Sequence, residues 1–229
     1  MKFLAIIPAR GGSKGIKNKN LRKVGNESLL ERAIKSVNDL MDTIVSTDNV
    51  KIKDESIKVG AKVLSMRPKH LSEDKSKTID VIKYELGNYE KIYEQKVDYI
   101  FIIEPTSPFR EKKHVKNVVD LLKTNKFNSV VTVCDLERKP ENIFTKGESL
   151  KKYIKNPTHT FDQRQMMNKL CRLNSAVYAT NRDLLIKENK LLIDPIGYTH
   201  MSQMESINID TFLDLKFANF IFDEIHNSI

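Results

Sequence analysis

The residues with the clearest chemical purpose lie in one stretch, Phe3 to Leu21, which reads FLAIIPARGGSKGIKNKNL. Arg10, Lys14, Lys17 and Lys19 put four cations into a loop that also holds Gly11, Gly12 and Gly15. Glycines permit positive φ and let backbone N–H groups approach an anion without Cβ obstruction, and the clustered cations supply matching charge. A run of phosphates is the complement of such a loop. It is neither of the two commoner nucleotide loops: Gly15 is followed by Ile16 where a Walker loop needs Lys and then Ser or Thr, and no GxGxxG occurs. Glycine and charge alone leave a second reading open, a glycine-rich turn whose lysines are merely solvated.

A loop of this kind needs a strand to present it. Residues 3–7 have the length and composition of a buried strand, and Pro8 cannot continue an interior ladder, so the loop opens at the strand's C-terminal end. Leu29, Leu30, Ala33, Ile34, Val37 and Leu40 then recur at helical spacing from a start near Ser28, and Thr43 to Ser46 reads as a short strand. A helix over 49–59 stops at Gly60, and a strand over 62–65 leads into Arg67-Pro68. Helix 78–93 precedes the strongly apolar strand 98–103, which ends at Glu104; helix 112–124 and strand 129–133 follow. About five β-α units in this order predict a three-layer, Rossmann-like α/β fold with a mostly parallel sheet. Residues 135–173 lack periodicity and predict an excursion serving dimerisation, substrate contact or both. Alternation resumes with strand 175–179, a helix from Arg182, strand 196–200, an extended segment 206–210 and a closing helix over 211–226.

A chain of 229 residues, 40% hydrophobic, can bury a full core and predicts a single domain over 1–229. The formal charge of +9 points to an anionic partner. Lysines scattered over helix faces, with no Trp and no basic run interleaved with aromatics, favour a small polyanion over nucleic acid. Cys134 and Cys171 show no CxxC spacing and are expected to be reduced core residues. No signal-peptide pattern is seen and no apolar run approaches the ~20 residues that span a bilayer, so a soluble, cytoplasmic protein without membrane insertion is expected.

Several segments, in one order, carry a family likeness: IIPARGGSKGIKNKNL (6–21), VSTD (45–48), RP (67–68), PTSPFR (105–110), RQ (164–165), NSAVY (174–178) and SINIDTFLDL (206–215). Through them the chain resembles bacterial acylneuraminate cytidylyltransferases, the CMP-sialic-acid synthetases and their CMP-nonulosonate relatives, over nearly its whole length. The resemblance implies a nucleotidyltransferase fold, a homodimer and a Mg²⁺-dependent reaction of CTP with a nonulosonic acid sugar, giving the CMP-sugar and pyrophosphate. It implies that Arg10 and Lys19 hold the triphosphate, within a nucleotide-binding set of Gly11, Gly12, Ser13, Lys14, Asn20, Arg67 and Thr78. Asn20 and Arg67 would contact base and ribose, and Thr78 the cytosine. Glu104, Thr106, Arg164, Gln165, Arg172 and Asn174 would face the sugar. Arg10, Lys19 and Asp210 would be the catalytic residues. Two related readings stand beside this one: a CMP-Kdo-type or other sugar nucleotidyltransferase, and a non-catalytic nucleotide-binding homologue.

Two positions depart from the family. Where it carries two aspartates two residues apart, this chain has Asn208 and Asp210. On a strand that spacing turns both side chains to one face, suited to a shared Mg²⁺, but an amide contributes no charge. Asp210 therefore carries the metal assignment almost alone, unless its purpose is to cap the closing helix. Glu104 stands where the family has Gln before PTSP, and a carboxylate there disfavours an anionic sugar unless a cation, on the protein or on the sugar, compensates. The plainer readings are that Glu104 points into solvent, that Arg67 is a surface residue fixed by Pro68, and that Thr78 is a helix cap.

Overall fold

The computed structural model describes residues 1–137, 143–147, 149–153 and 170–227. Its centre is a six-stranded sheet in the order β10-β6-β9-β5-β1-β4. The strands are β1 (Phe3–Pro8), β4 (Asp42–Ser46), β5 (Tyr99–Ile103), β6 (Ser129–Asp135), β9 (Cys171–Asn181) and β10 (Ile196–His200). β1 pairs parallel to both β4 and β5, and β10 parallel to β6, whereas β9 runs antiparallel between β5 and β6. The sheet is thus mostly parallel, as expected.

Alternation along β1 sorts the core into two layers. Ala5 and Ile7 face a cluster built with Leu30 and Ile34 of α1 (Leu29–Lys35) and Val115 and Val118 of α4 (Lys112–Leu122). Leu4 and Ile6 face the other side, against Ile82, Leu86 and Tyr89 of α3 (Thr78–Tyr93) and Leu185 of α5 (Arg182–Glu188). A third cluster packs Leu215 and Ala218 of α6 (Phe212–Asn227) over Ile16, Leu29 and Val24, the last in the short hairpin β2 (Lys23–Val24) and β3 (Glu27–Ser28). The helix starts follow local chemistry. Ser28 caps α1 by accepting from Glu31 N–H at 3.0 Å, and Asn49 caps α2 (Val50–Lys58) by accepting from Lys51 and Ile52 N–H.

Several expectations require correction. α1 ends at Lys35 rather than near Leu40, because the Ser36 hydroxyl bonds the Ala33 carbonyl and the chain tightens into turns; Val37 is buried regardless, which is why the helical spacing persists. Residues 62–65 form no strand. The chain touches β4 through Lys62, bridged to Ile44, and again where Arg67 N–H donates to the Thr47 carbonyl at 2.7 Å. The strand expected over 175–179 is an eleven-residue strand, β9, and residues 206–210 are irregular. Cys171 is exposed, not core, while Cys134 is buried. Within the 135–173 excursion the described residues include a small hairpin, β7 (Phe144–Thr145) with β8 (Lys151–Lys152). No described helix is long and apolar enough to cross a membrane.

Chain order reverses at β1: β4 lies on one side of it and β5 on the other. In open α/β sheets such a switch point leaves a crevice outside the C-terminal ends of the strands, where ligands bind. Here those ends are Pro8, Ser46 and Ile103.

Candidate active site

The basic loop leaves β1 directly at this crevice. Ala9 N–H still bonds the Ser46 carbonyl, and the Gly11 N–H then donates to Asp48 Oδ1 at 2.7 Å. Glycine is required here for close approach rather than for positive φ. A Cβ on Gly11 would lie 2.7 Å from Asn49 Cβ, and one on Gly15 only 2.3 Å from the Asp210 carbonyl oxygen, whereas Gly12 faces open space. Positive φ belongs instead to Asn18 inside the loop and to Gly25 and Gly60 outside it. Asn20, expected to touch base or ribose, is buried and donates Nδ2 to the Arg10 carbonyl at 3.0 Å, so its amide group holds the loop's shape.

Three of the loop's cations, Arg10, Lys14 and Lys19, are already paired with anions of the chain. Arg10 Nη1 lies 2.9 Å from Asp74 Oδ1 and Lys14 Nζ 2.8 Å from Asp74 Oδ2. Together, Lys14 first, they hold the Asp74 carboxyl below the usual range. Gly12 and Ser13 line the same shallow recess as Arg10, Lys14 and Asp74. Lys19, mostly buried, reaches across to Asp210 Oδ1 at 3.0 Å and the Ile209 carbonyl at 3.1 Å.

Arg67, Thr78 and Glu104 line one cleft of about 260 Å³ with Arg10, Pro8 and Val81. Arg67 is buried rather than a surface residue. It donates Nε to Ser46 Oγ at 2.9 Å and Nη2 to the Ser46 carbonyl at 2.6 Å, and Ser46 Oγ donates onward to Glu85 Oε1 at 2.6 Å. Thr78 is exposed at the first position of α3; the cap position belongs to Lys77 and no side chain caps the helix. Glu104 is half-buried in the cleft wall rather than standing open to bulk solvent. Desolvation in the cleft pushes its carboxyl up to about 7, against the pull of Arg110, Lys19 and Arg67. Arg110 itself is buried and donates to the Glu104 and Ala176 carbonyls, fixing the end of β5.

Asp210 and Asn208 do share one side of their segment, although it is not a strand, because Ile209 between them is buried. Asn208 Nδ2 donates to Asp210 Oδ2 at 2.7 Å, and Asn208 Oδ1 is buried without a hydrogen-bond partner among the described residues. The capping alternative for Asp210 is excluded. Thr211 and Asp214 form the cap, with Thr211 N–H donating to Asp214 Oδ2 at 2.7 Å and Asp214 N–H to Thr211 Oγ1 at 3.3 Å. The Asp210 side chain is thereby free for Lys19 and the crevice. Thr106 brings this segment in, its carbonyl accepting from Ile209 N–H at 2.9 Å.

The remaining sugar-side residues divide. Asn174 is not a cleft side chain but is buried, with Oδ1 accepting from Thr132 Oγ1 at 2.6 Å and Nδ2 donating to Ser206 Oγ at 2.9 Å. It supports the irregularity where β9 shifts register against Val131 and Val133, next to Ser175 with φ 61°. Arg172 stands at the entrance of β9, 3.4 Å from Glu137, and is not among the cleft residues. Arg164 and Gln165 lie outside the described residues. Sequence reasoning missed Asp74, Ser46 and Glu85. Asp48 and Ser46 sat in the VSTD motif already singled out, whereas Asp74 and Glu85 carry no local signal. A larger cavity of about 550 Å³ opens near Arg32, Arg110 and Phe222, and none of the loop cations borders it.

The chain is similar to several known proteins. The protein named post-translational flagellin modification protein B, from Campylobacter coli, is 26% identical over 97% of this chain and 96% of its own. The CMP-N,N'-diacetyllegionaminic acid synthase of Legionella pneumophila is 28% identical over 93% of each. Among solved structures, a CMP:2-keto-3-deoxy-manno-octonic acid synthetase complexed with CTP superposes with a TM-score of 0.68 over 100% of both chains at 14% identity, a likeness of fold. A family model described as cytidylyltransferase matches residues 4–205, and the chain belongs to the cytidylyltransferase family.

Proposed function

We propose that the chain is a CMP-nonulosonate synthetase. It transfers the CMP moiety of CTP to a nine-carbon ulosonic acid. The observation that supports this reading is the set of loop cations beyond the C-terminal end of β1, Arg10, Lys14 and Lys19, held on acids that a triphosphate can replace, with Arg67 anchored beside them on Ser46. In the reaction the anomeric hydroxyl oxygen of the sugar bonds to the α-phosphorus of CTP, its proton departs, and the bond to the β-phosphate oxygen breaks to release pyrophosphate. Phosphoryl transfer asks mainly for positioning and charge neutralisation. Arg10 and Lys14 grip the phosphate tail, Lys19 meets charge developing at the leaving oxygens, and Arg67 and Thr78 wall the nucleotide side. Glu104 and the Thr106 loop bound the sugar side.

One carboxylate and one amide, Asp210 and Asn208, suit Mg²⁺ in a triphosphate site, since that ion takes one or two protein ligands and completes its shell with phosphate and water. Asn208 Oδ1, buried without a partner among the described residues, is the atom a ligand or an amide turn would satisfy. When bound, the ion would add Lewis-acid charge neutralisation at the phosphates. Dimerisation belongs to the same reading, supported by exposed Ile143, Phe144, Leu150 and Tyr153 in the excursion; sedimentation at micromolar protein checks it.

Pyrophosphate release with CTP, Mg²⁺ and a panel of eight- and nine-carbon ulosonic acids tests the function. Turnover with a nine-carbon acid is expected. Turnover with the eight-carbon acid alone would move the protein to the Kdo-type reading, and none with any acid would leave a nucleotide-binding homologue. CTP should also raise the melting temperature more than ATP, GTP or UTP, since ligand at a hundredfold excess over Kd adds roughly 2.7 kcal/mol.

A further inference from the structure

Glu85 is fully buried in the middle of α3 and has no part in the chemistry described above. Its Oε1 accepts from the Ser46 hydroxyl, and Ser46 Oγ accepts from Arg67 Nε. A guanidinium can only donate, so the single Ser46 proton must point away from Arg67, and Glu85 is its acceptor. The direction of the whole relay, Arg67 to Ser46 to Glu85, follows from that. Arg67 Nη2 is tied to the Ser46 carbonyl, while Nη1 makes no hydrogen bond among the described residues. The side chain borders the cleft beside Arg10 and Glu104.

A second observation bears on what the relay is for. Glu85 Oε2 is buried with no hydrogen-bond partner among the described residues, and burial raises the carboxyl's pKa against the opposing pull of Ser46 and Arg67. A half-satisfied carboxylate is a poor way to stabilise a core; an apolar side chain of similar volume fills such a site at lower cost. Position agrees as well. Thr78 and Val81 line the cleft, and Glu85 follows Val81 by one turn on the same face of α3.

We propose that Glu85 is a positioning residue for nucleotide binding, holding Arg67 through Ser46 so that one edge of the guanidinium is anchored on β4 and the other is presented to the nucleotide. The inference rests on the cleft being the CTP site. CTP affinity by calorimetry and stability by urea denaturation, for Glu85→Met, Glu85→Gln, Arg67→Ala and the Glu85→Met/Arg67→Ala pair, test it. Glu85→Met is expected to weaken CTP binding about tenfold, the worth of one hydrogen bond to a charged group, without lowering the urea midpoint. Glu85→Gln keeps an acceptor for Ser46 and should bind within about threefold of wild type. In the Arg67→Ala background Glu85→Met should have no further effect, because neither acts without the other. Equal CTP affinity for Glu85→Met and wild type overturns the proposal, as does the same weakening with and without Arg67. Should Glu85→Met fail to fold, Ser46→Ala cuts the same relay and is judged by the same comparison. Preference of wild type for another nucleotide overturns the cytidine reading, and the comparison is then made with that nucleotide; wild type that binds none overturns both.

Discussion

Asp74 places two carboxylate oxygens on Arg10 and Lys14 as a phosphate would, so under the proposed function nucleotide binding would begin by displacing it. Both partners of the Lys14 contact are largely exposed, and such pairs are weak and salt-sensitive. Asp74→Asn should therefore lower the CTP concentration needed for half-maximal rate, by no more than about fivefold at low salt, with the difference shrinking as salt rises. A titration of CTP at two ionic strengths measures this. Arg10→Ala and Lys19→Ala act oppositely, each removing a group that meets phosphate charge, and turnover should fall about 10²-fold or more at nearly unchanged stability. Asp210→Asn leaves two amides where a hard cation needs anionic oxygen, and Mg²⁺-dependent pyrophosphate release should be lost at every practical Mg²⁺ concentration. Substantial turnover in that variant would remove Asp210 from the metal assignment. Arg10, Lys19 and Asp210 were legible in the sequence because a loop or a spaced pair announces them. Asp74 and Glu85 were not, because their partners arrive from distant parts of the chain, 64 and 39 residues away.

At the scale of elements, the site depends on the loop after β1 lying flush against the segment before α6. Gly15 makes that contact, and a Cβ there would press on the Asp210 carbonyl, a backbone atom that cannot rotate away. Gly15→Ala should push Asp210 from Lys19 and lower turnover by about 10²-fold, as displacements near 1 Å do in active sites. Gly12→Ala meets nothing within 4 Å and should leave the urea midpoint unchanged, which makes it the control for Gly15→Ala. The same contact shows why some elements were readable and others were not. α3 shows its extent through regular apolar spacing, and β5 through an unbroken apolar run. The stretch after Gly60 looks like a strand but only brushes β4 before Arg67 turns into the crevice. Asn174 looked like a ligand at a strand entrance, yet the register shift between β6 and β9 turns it inward onto Thr132 and Ser206. Register shifts and edge contacts depend on partners that no local pattern contains.

Across the whole molecule the fold stores an acid, Glu104, in a cleft that desolvates it, and its cost to stability depends on pH. Glu104 rises from an ordinary 4.5 to about 7 because the cleft desolvates it more than Arg110, Lys19 and Arg67 can offset. The folded chain then binds more protons than the unfolded chain between those values, so stability falls as pH climbs through that window and the full cost is present above pH ~7. At 1.36 kcal/mol per unit the upper bound is on the order of 3 kcal/mol, reduced by whatever solvent reaches the cleft. Buried Glu85 shifts in the same direction, whereas desolvated His114, lowered despite Glu205 beside it, opposes both by losing stability as pH falls below its usual 6.5. A comparison of wild type with Glu104→Gln cancels these two and isolates Glu104. Urea denaturation should show the two proteins alike near pH 4.5 and the variant more stable at pH 8, and parallel profiles would place the carboxyl in contact with solvent. Under the proposed function the same group would set what the sugar must carry. A carboxyl held near neutrality beside cations favours an acceptor with an amino or amidino group over a simple anionic sialic acid, because the cation settles the charge that desolvation leaves exposed. Glu104→Gln should widen the acceptor range toward simple sialic acids, measured as kcat/KM across the ulosonic acid panel; an unchanged profile would put the recognition of that substituent elsewhere in the crevice.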